Sequence, residues 1–201
     1  MLRFEREADD RTVRDFLSRQ HRAPDMPTTA SERLWHHVLF SRDLEATIIR
    51  DDDGSPYLLR VYLTGRSPAG TIRTRPAVWL HHFFRSDADR EVHSHPFRWS
   101  LSVILSGGYI EHRWDRRRRR MRVRTLRRGS VNLLRSSSFH RVQLIDGPCW
   151  TLFIAGPRVG VVDGEGWGFL DTETDAYETL NERDRRMRAA RSGQAGARHV
   201  G

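Results

Sequence analysis

Two histidines, His93 and His95, stand two residues apart in Glu91-Val-His-Ser-His-Pro-Phe-Arg-Trp-Ser100. On an extended chain, side chains alternate between faces, so both imidazoles would point the same way. Two neutral imidazoles converging from one strand make half of a site for a first-row metal ion. The third ligand has to come from elsewhere, and the best candidate is His140 in Ser136-Ser-Ser-Phe-His-Arg-Val-Gln-Leu144.

The composition limits the alternatives. All 35 basic residues are arginine, so Schiff-base chemistry, covalent pyridoxal phosphate and a P-loop lysine are excluded. The single cysteine, Cys149, excludes an intrachain disulfide and a cysteine-rich zinc site. It sits in Cys-Trp-Thr-Leu-Phe-Ile, where a buried core thiol is the expectation. No apolar run approaches the ~20 residues of a membrane span, and no signal-peptide pattern opens the chain. The expectation is a cytoplasmic protein with no membrane partner. A net charge of +9 gives a surface field that attracts anions without saying which.

The elements that must position these residues read as an all-β protein of 201 residues with one core. Residues 1–45 form an N-terminal helical segment, with Thr29-Ala-Ser-Glu32 at capping-box spacing before Leu34, Trp35, Val38 and Leu39. Residues 46–171 carry short strands at Ala46–Arg50, Tyr57–Thr64, Ala77–Phe84, Leu101–Leu105, Tyr109–Trp114, Met121–Leu126, Val131–Leu134, His140–Leu144 and Trp150–Ala155. Gly, Asp and Pro turns separate them, which argues for a barrel or sandwich. Residues 172–201 give a helix around Ala176 to Ala190 and a basic tail expected to be disordered. The run Arg116–Arg120, followed by Arg122 and Arg124, reads as a hairpin tip and one solvated strand face. No aromatics are interleaved there for base stacking, so nucleic acid is not the expected partner.

The stretch from His93 to Leu144 resembles the paired motifs of the cupin superfamily, small antiparallel β-barrels (jelly rolls) that hold a metal inside. The first motif matches as His93-x-His95, four residues, Ser100, six residues, Gly107. The second matches as Gly129, five residues, Arg135-x-Ser137, two residues, His140, three residues, Leu144. Spacing is kept where several identities are not, and the family's usual glutamate ligand is Ser100 here. The resemblance therefore implies a three-histidine site of His93, His95 and His140, a ligand set found in thiol dioxygenases that bind ferrous iron. Zinc, nickel and manganese suit three imidazoles as well. Glu91 is an alternative fourth ligand, against a plain salt-bridge role at the strand edge.

Around that site, alternation from Ser100 would send Arg98, Ser102 and Ile104 inward. Arg98 is then a candidate to clamp a substrate carboxylate, or to pair with Asp87 or Asp89 at the rim. One of His81 and His82 must face inward, as an acid or base near the metal or as a core histidine. Tyr109 shares a strand face with Glu111 and is either a phenol at the reaction centre or a packing residue. Trp99, Leu101, Val103 and Leu105 point outward and need cover, from the helix at Thr29–Phe40 or from a second subunit in a homodimer. The implied function is a metal-dependent enzyme, a non-haem Fe(II) oxygenase acting on a small polar or anionic metabolite. The alternatives are a non-redox metal enzyme (isomerase, lyase, decarboxylase or hydrolase) and a non-catalytic cupin that binds a ligand or polyanion.

Overall fold

The computed structural model describes residues 3–4, 46–50, 55–64, 76–87, 91–159 and 167–179. It also describes 181–183, 185–186 and 189 in a C-terminal helical stretch. The expected helix at Thr29–Phe40 lies outside these residues. The described strands are β1 (Arg3–Phe4), β2 (Ala46–Arg50), β3 (Pro56–Tyr62), β4 (Ala77–Phe83), β5 (Val92–His93), β6 (Trp99–Ser106) and β7 (Gly108–Asp115). They continue as β8 (Arg120–Arg127), β9 (Val131–Arg135), β10 (Phe139–Leu144), β11 (Cys149–Ala155), β12 (Gly168–Leu170) and β13 (Tyr177–Thr179). They build two antiparallel sheets, one ordered β1-β2-β3-β4-β11-β6-β9 and the other β13-β12-β5-β10-β7-β8.

Alternation of small polar and apolar residues makes these strands two-faced. Along β6, Ser100, Ser102 and Ile104 are buried, whereas Trp99, Leu101, Val103 and Leu105 are half-buried on the other face. The inner faces meet in two clusters. Ile104 and Cys149 of the first sheet pack with Tyr109, Leu126 and Val142 of the second and fill one end of the interior. Trp79, Phe97, Phe153, Ala77 and Ala155 form an aromatic wall further along. Burying side chains of this size contributes roughly 1.5–3 kcal/mol each, so the two clusters decide which faces meet.

Three details differ from the sequence reading. The strands run past residue 171, because Tyr177–Thr179 pairs with β12 as β13 instead of opening the C-terminal helix. The helical residues follow it behind a capping box. The Thr179 hydroxyl accepts from the Glu182 amide at 3.2 Å, and a Glu182 carboxylate oxygen accepts from the Thr179 amide at 2.8 Å. The arginine face of β8 is also not merely solvated. In the β7–β8 register Arg122 lies opposite Arg113 and Arg124 opposite Glu111, on the same face as Tyr109 and Leu126. Arg122 pairs with Asp115 at 2.8 Å and Arg124 reaches Glu111 at 3.8 Å, so this face neutralises carboxylates of β7.

The turn from β6 to β7 depends on Gly107. Its φ is +71°, and a Cβ built there would stand 2.4 Å from the Pro148 carbonyl oxygen. Both the left-handed backbone and the contact oppose any side chain. Gly107→Ala should destabilise the fold by about 1–3 kcal/mol, read as a lower urea midpoint at unchanged slope.

Candidate metal centre

β5 is only two residues long, set between β10 and β12. His93 is the Cα partner of His140 on one side and of Phe169 on the other. His95 lies beyond the strand end, yet it still points inward. The Ser94 amide donates to the Gly168 carbonyl at 2.9 Å, and the Gly168 amide donates to the Ser94 hydroxyl at 3.2 Å. That pair keeps the chain extended for one more step, so the alternation carries through to His95.

The three rings converge, with centroid separations of 5.3 Å (His93–His95), 5.0 Å (His93–His140) and 5.1 Å (His95–His140). One nitrogen from each lies within 4.8 Å of the other two. The Nε2 atoms of His95 and His140 are 2.8 Å apart. Two nitrogens adjacent on one ion, each about 2.1 Å from it, would stand about 3 Å apart, so this spacing fits shared ligation. The donor set is all-imidazole, which suits a divalent first-row ion.

Buried carboxylates behind the rings set their orientation. His140 Nδ1 lies 3.0 Å from Glu111 Oε1. A carboxylate can only accept, so Nδ1 carries the proton and Nε2 keeps its lone pair for the centre. Glu111 has no solvent exposure. Burial would raise its pKa, but hydrogen bonds from His140, from Arg113 at 2.8 Å and from Asn132 at 2.8 Å hold it at about 2. On the other side His93 Nδ1 is 3.8 Å from Asp87 Oδ2. Asp87 is itself fixed by the Val142 amide at 2.6 Å and by the Tyr57 hydroxyl. Burial depresses the His93 pKa to about 4, with Asp87 opposing and His140 reinforcing the shift. Burial likewise pushes His95 well below the usual histidine range, helped by its histidine neighbours. Both rings are therefore neutral near pH 7, the form that binds a metal.

No protein-family model matches the chain, and no curated protein does. Solved structures do. The Fe(II) form of HppE superposes with a TM-score of 0.43 at 12% identity, over 56% of each chain. A conserved protein with a double-stranded β-helix domain from Klebsiella pneumoniae gives 0.40 at 15% identity, over 61% of this chain and 90% of that one. A cupin superfamily protein from Desulfitobacterium hafniense gives 0.36 at 17%, over 53% and 78%. The chain spans little more than half the length of the HppE chain it matches. The fold assignment rests on the two facing sheets and on the histidines held between them. The fold is an antiparallel jelly roll.

Within this fold the sequence-derived residues fall in different places. Glu91 does not join the cluster: it pairs with Arg183, whose guanidinium also covers the Phe169 ring at 4.0 Å. Arg98 is exposed, because it lies in a bend before β6 and the alternation counted back from Ser100 does not reach it. Ser100 is buried, as expected, and its hydroxyl has no hydrogen-bond partner. Of the histidine pair on β4, His81 faces the interior and stacks on Phe153 at 4.7 Å, while His82 stacks on Trp150 on the opposite face. His81 Nε2 accepts from Arg60 Nε at 3.0 Å, and burial pushes its pKa well below the usual range. It is thus a neutral acceptor and not an acid or base poised near neutrality. Tyr109 is buried beneath the centre, receives a hydrogen bond from Asn132 at 3.3 Å, and burial raises its pKa to about 12.

Sequence reading gave Glu111 and Asp87 no role behind the histidines and passed over Arg60. The signal for Glu111 and Arg60 was a charge at an inward position of a strand, since Glu111 alternates with Tyr109 and Arg60 with Leu58. For Asp87 only its spacing before His93 could have pointed the way.

Replacing Glu111 with Gln removes the charge that fixes the His140 proton. We expect metal affinity to fall about 10- to 100-fold, measured by competition with a chromogenic chelator. The pH response of metal-free protein follows from the histidines. His93 takes its proton near pH 4 when folded but near 6.5 when unfolded, so between those values the unfolded chain binds more protons. Stability present above about pH 6.5 is lost as pH falls, by up to about 1.4 kcal/mol per unit from His93 alone. His95 and His81 act in the same direction. Urea midpoints in excess chelator should drop between pH 7 and pH 5, and a flat profile would contradict the assignment.

Proposed function

We propose that this chain is a metal-dependent cupin enzyme, a non-haem Fe(II) oxygenase acting on a small polar or anionic metabolite. The observation that carries the reading is a set of three inward imidazoles with no carboxylate among them. Such a set leaves the charge of a divalent ion uncompensated and two or three coordination positions open, which a structural site avoids. His93, His95 and His140 would hold the ion. When bound, iron supplies Lewis acidity and a route for electrons between substrate and dioxygen.

The chain's own residues do the rest. Glu111 keeps the His140 proton on Nδ1, and Asp87 acts on His93 through its charge from 3.8 Å. Phe153, Phe97 and Trp79 line the interior beside His95 with apolar rings, with Phe153 6.2 Å from His95, and exclude water from that side. Tyr109 stays protonated far above neutral pH, so its role is to anchor Asn132, which in turn holds Glu111.

Metal content by mass spectrometry on untagged protein, wild type beside His140→Ala, is the direct test. Near-stoichiometric iron that is lost in the variant, with oxygen uptake on a substrate panel, is the expected result. Stoichiometric zinc, nickel or manganese without oxygen uptake would shift the chemistry to a non-redox lyase, isomerase or hydrolase. Absence of metal after anaerobic reconstitution would overturn the enzyme reading.

A further inference from the structure

Arg60 sits in the middle of β3 on the interior face. It is the Cα partner of His81, which is in turn the partner of Thr151 on β11, so the three residues form one row across the sheet. The Arg60 guanidinium lies 4.4 Å over the Trp79 ring and donates Nε–H to the neutral His81 ring. It also meets the Tyr62 hydroxyl. None of these partners carries a negative charge, and among the described residues Arg60 forms no ion pair. Among the described residues Arg158, another cation, also acts on it.

Other arginines in the molecule behave differently. Arg113 is paired with Glu111, Arg119 with Asp175, Arg183 with Glu91 and Arg186 with Glu178. A guanidinium packed into a protein interior without a counter-ion is costly, and natural structures pair it unless it awaits a ligand. Arginine stays charged there, since its intrinsic pKa is far above neutrality. A second interior atom in the same row also lacks a partner: the Thr151 hydroxyl is fully buried and makes no hydrogen bond.

The row lies beside the three histidines. His81 stacks on Phe153, the ring that also faces His95, and the positive charge of Arg60 contributes to the lowered proton affinity of His95. We propose that Arg60, seated by His81 and Trp79 and assisted by the Thr151 hydroxyl, binds the oxyanion of the substrate, a carboxylate or a phosphonate-type group. This rests on the metal-dependent reading for the reaction, though not for the binding itself. The substrate class is then a small acid with its anionic end on Arg60 and a second donor group directed at the histidines. Arg98, exposed on the far side of a bend, has no part in it.

The binding can be measured without metal. Acetate and methylphosphonate are titrated by calorimetry into chelator-treated wild type, Arg60→Met, Arg60→Lys, Thr151→Val and Arg98→Met, with melting temperatures recorded in parallel. At least one of the two anions should bind wild type and raise its melting temperature. Its affinity should fall about tenfold or more in Arg60→Met, partly recover in Arg60→Lys, fall less in Thr151→Val and stay unchanged in Arg98→Met. The tighter anion identifies the head group. Unliganded Arg60→Met should melt no lower than wild type, because it loses an unpaired charge; a purely structural arginine would give the opposite. Should Arg60→Met fail to fold, that failure counts as the structural outcome unless Arg60→Lys folds and binds the anion more weakly. Equal affinity in wild type and Arg60→Met, or no binding of either anion to wild type, overturns the proposal. The His140→Ala protein separates the two readings. Anion binding that persists there and depends on Arg60, in protein that takes up no metal, would leave the anion site standing while the metal reading falls.

Discussion

The hydrogen bond between His140 Nδ1 and Glu111 organises the interior. A carboxylate with no solvent exposure is costly unless hydrogen bonds and opposite charge compensate it. Arg113 of the second sheet and Asn132 of the first supply hydrogen bonds, and Arg124 on the strand beside Glu111 adds an ion pair at 3.8 Å. Each of these has further bonds of its own: Arg113 also reaches the Asn132 carbonyl oxygen at 2.6 Å, and Asn132 reaches Tyr109. The result is a polar network spanning β7, β8, β9 and β10, so both sheets are tied together at the point where His140 is aimed. Moving any member would leave a buried charge or dipole unpaired, which is why the ring orientation is fixed before a ligand arrives.

The same arrangement sorts charge. The carboxylates stand behind the histidine rings, Glu111 bonded to the outer nitrogen of His140 and Asp87 3.8 Å from that of His93. The face turned to the interior carries neutral imidazoles from one sheet and the Arg60 row from the other. Nothing negative projects into the space between, among the described residues. With a divalent ion in place the field there would be strongly positive in a medium of low dielectric, where Coulomb interactions are several times stronger than in water. Selection for an anion then follows from the walls themselves and needs no mobile element.

Much of this was legible in the sequence, and the failures have physical causes. Strand positions came from alternation, which burial enforces directly: Cys149–Ala155 alternates buried and half-buried without a break. The three histidines came from spacing, and it survived because Ser94 and Gly168 extend the strand geometry past its formal end. Arg98 was misplaced because alternation was counted through a bend. Glu91 was drawn to the cluster by sharing parity with His93, but parity gives a face and not a distance, and Arg183 from 92 positions downstream captured it. The network around Glu111 stayed hidden because, apart from Arg113 two residues on, its hydrogen-bonding partners Asn132 and His140 lie 21 and 29 residues away, with no local pattern linking them. Strand β13 was read as helix because its three residues pair only with a strand that sequence alone did not reveal.

The contrast between Glu111 and Arg60 shows how the barrel separates stability from function. Both are charges placed at inward positions of strands, and sequence alone treats them alike. Glu111 gathers its donors on one oxygen, Oε1, while Oε2 has only the Arg124 charge at 3.8 Å, and the hydrogen bonds to Oε1 keep its pKa low. Arg60 is held by a neutral ring acceptor, an aromatic face and a phenol, which fix its direction without cancelling its charge. A group that is oriented but not neutralised stores interaction energy that only a ligand of opposite sign can release. The fold therefore uses one buried charge to orient the histidines and holds a second, half-buried one on the opposite sheet, without a counter-ion among the described residues, for the molecule that we propose comes to them.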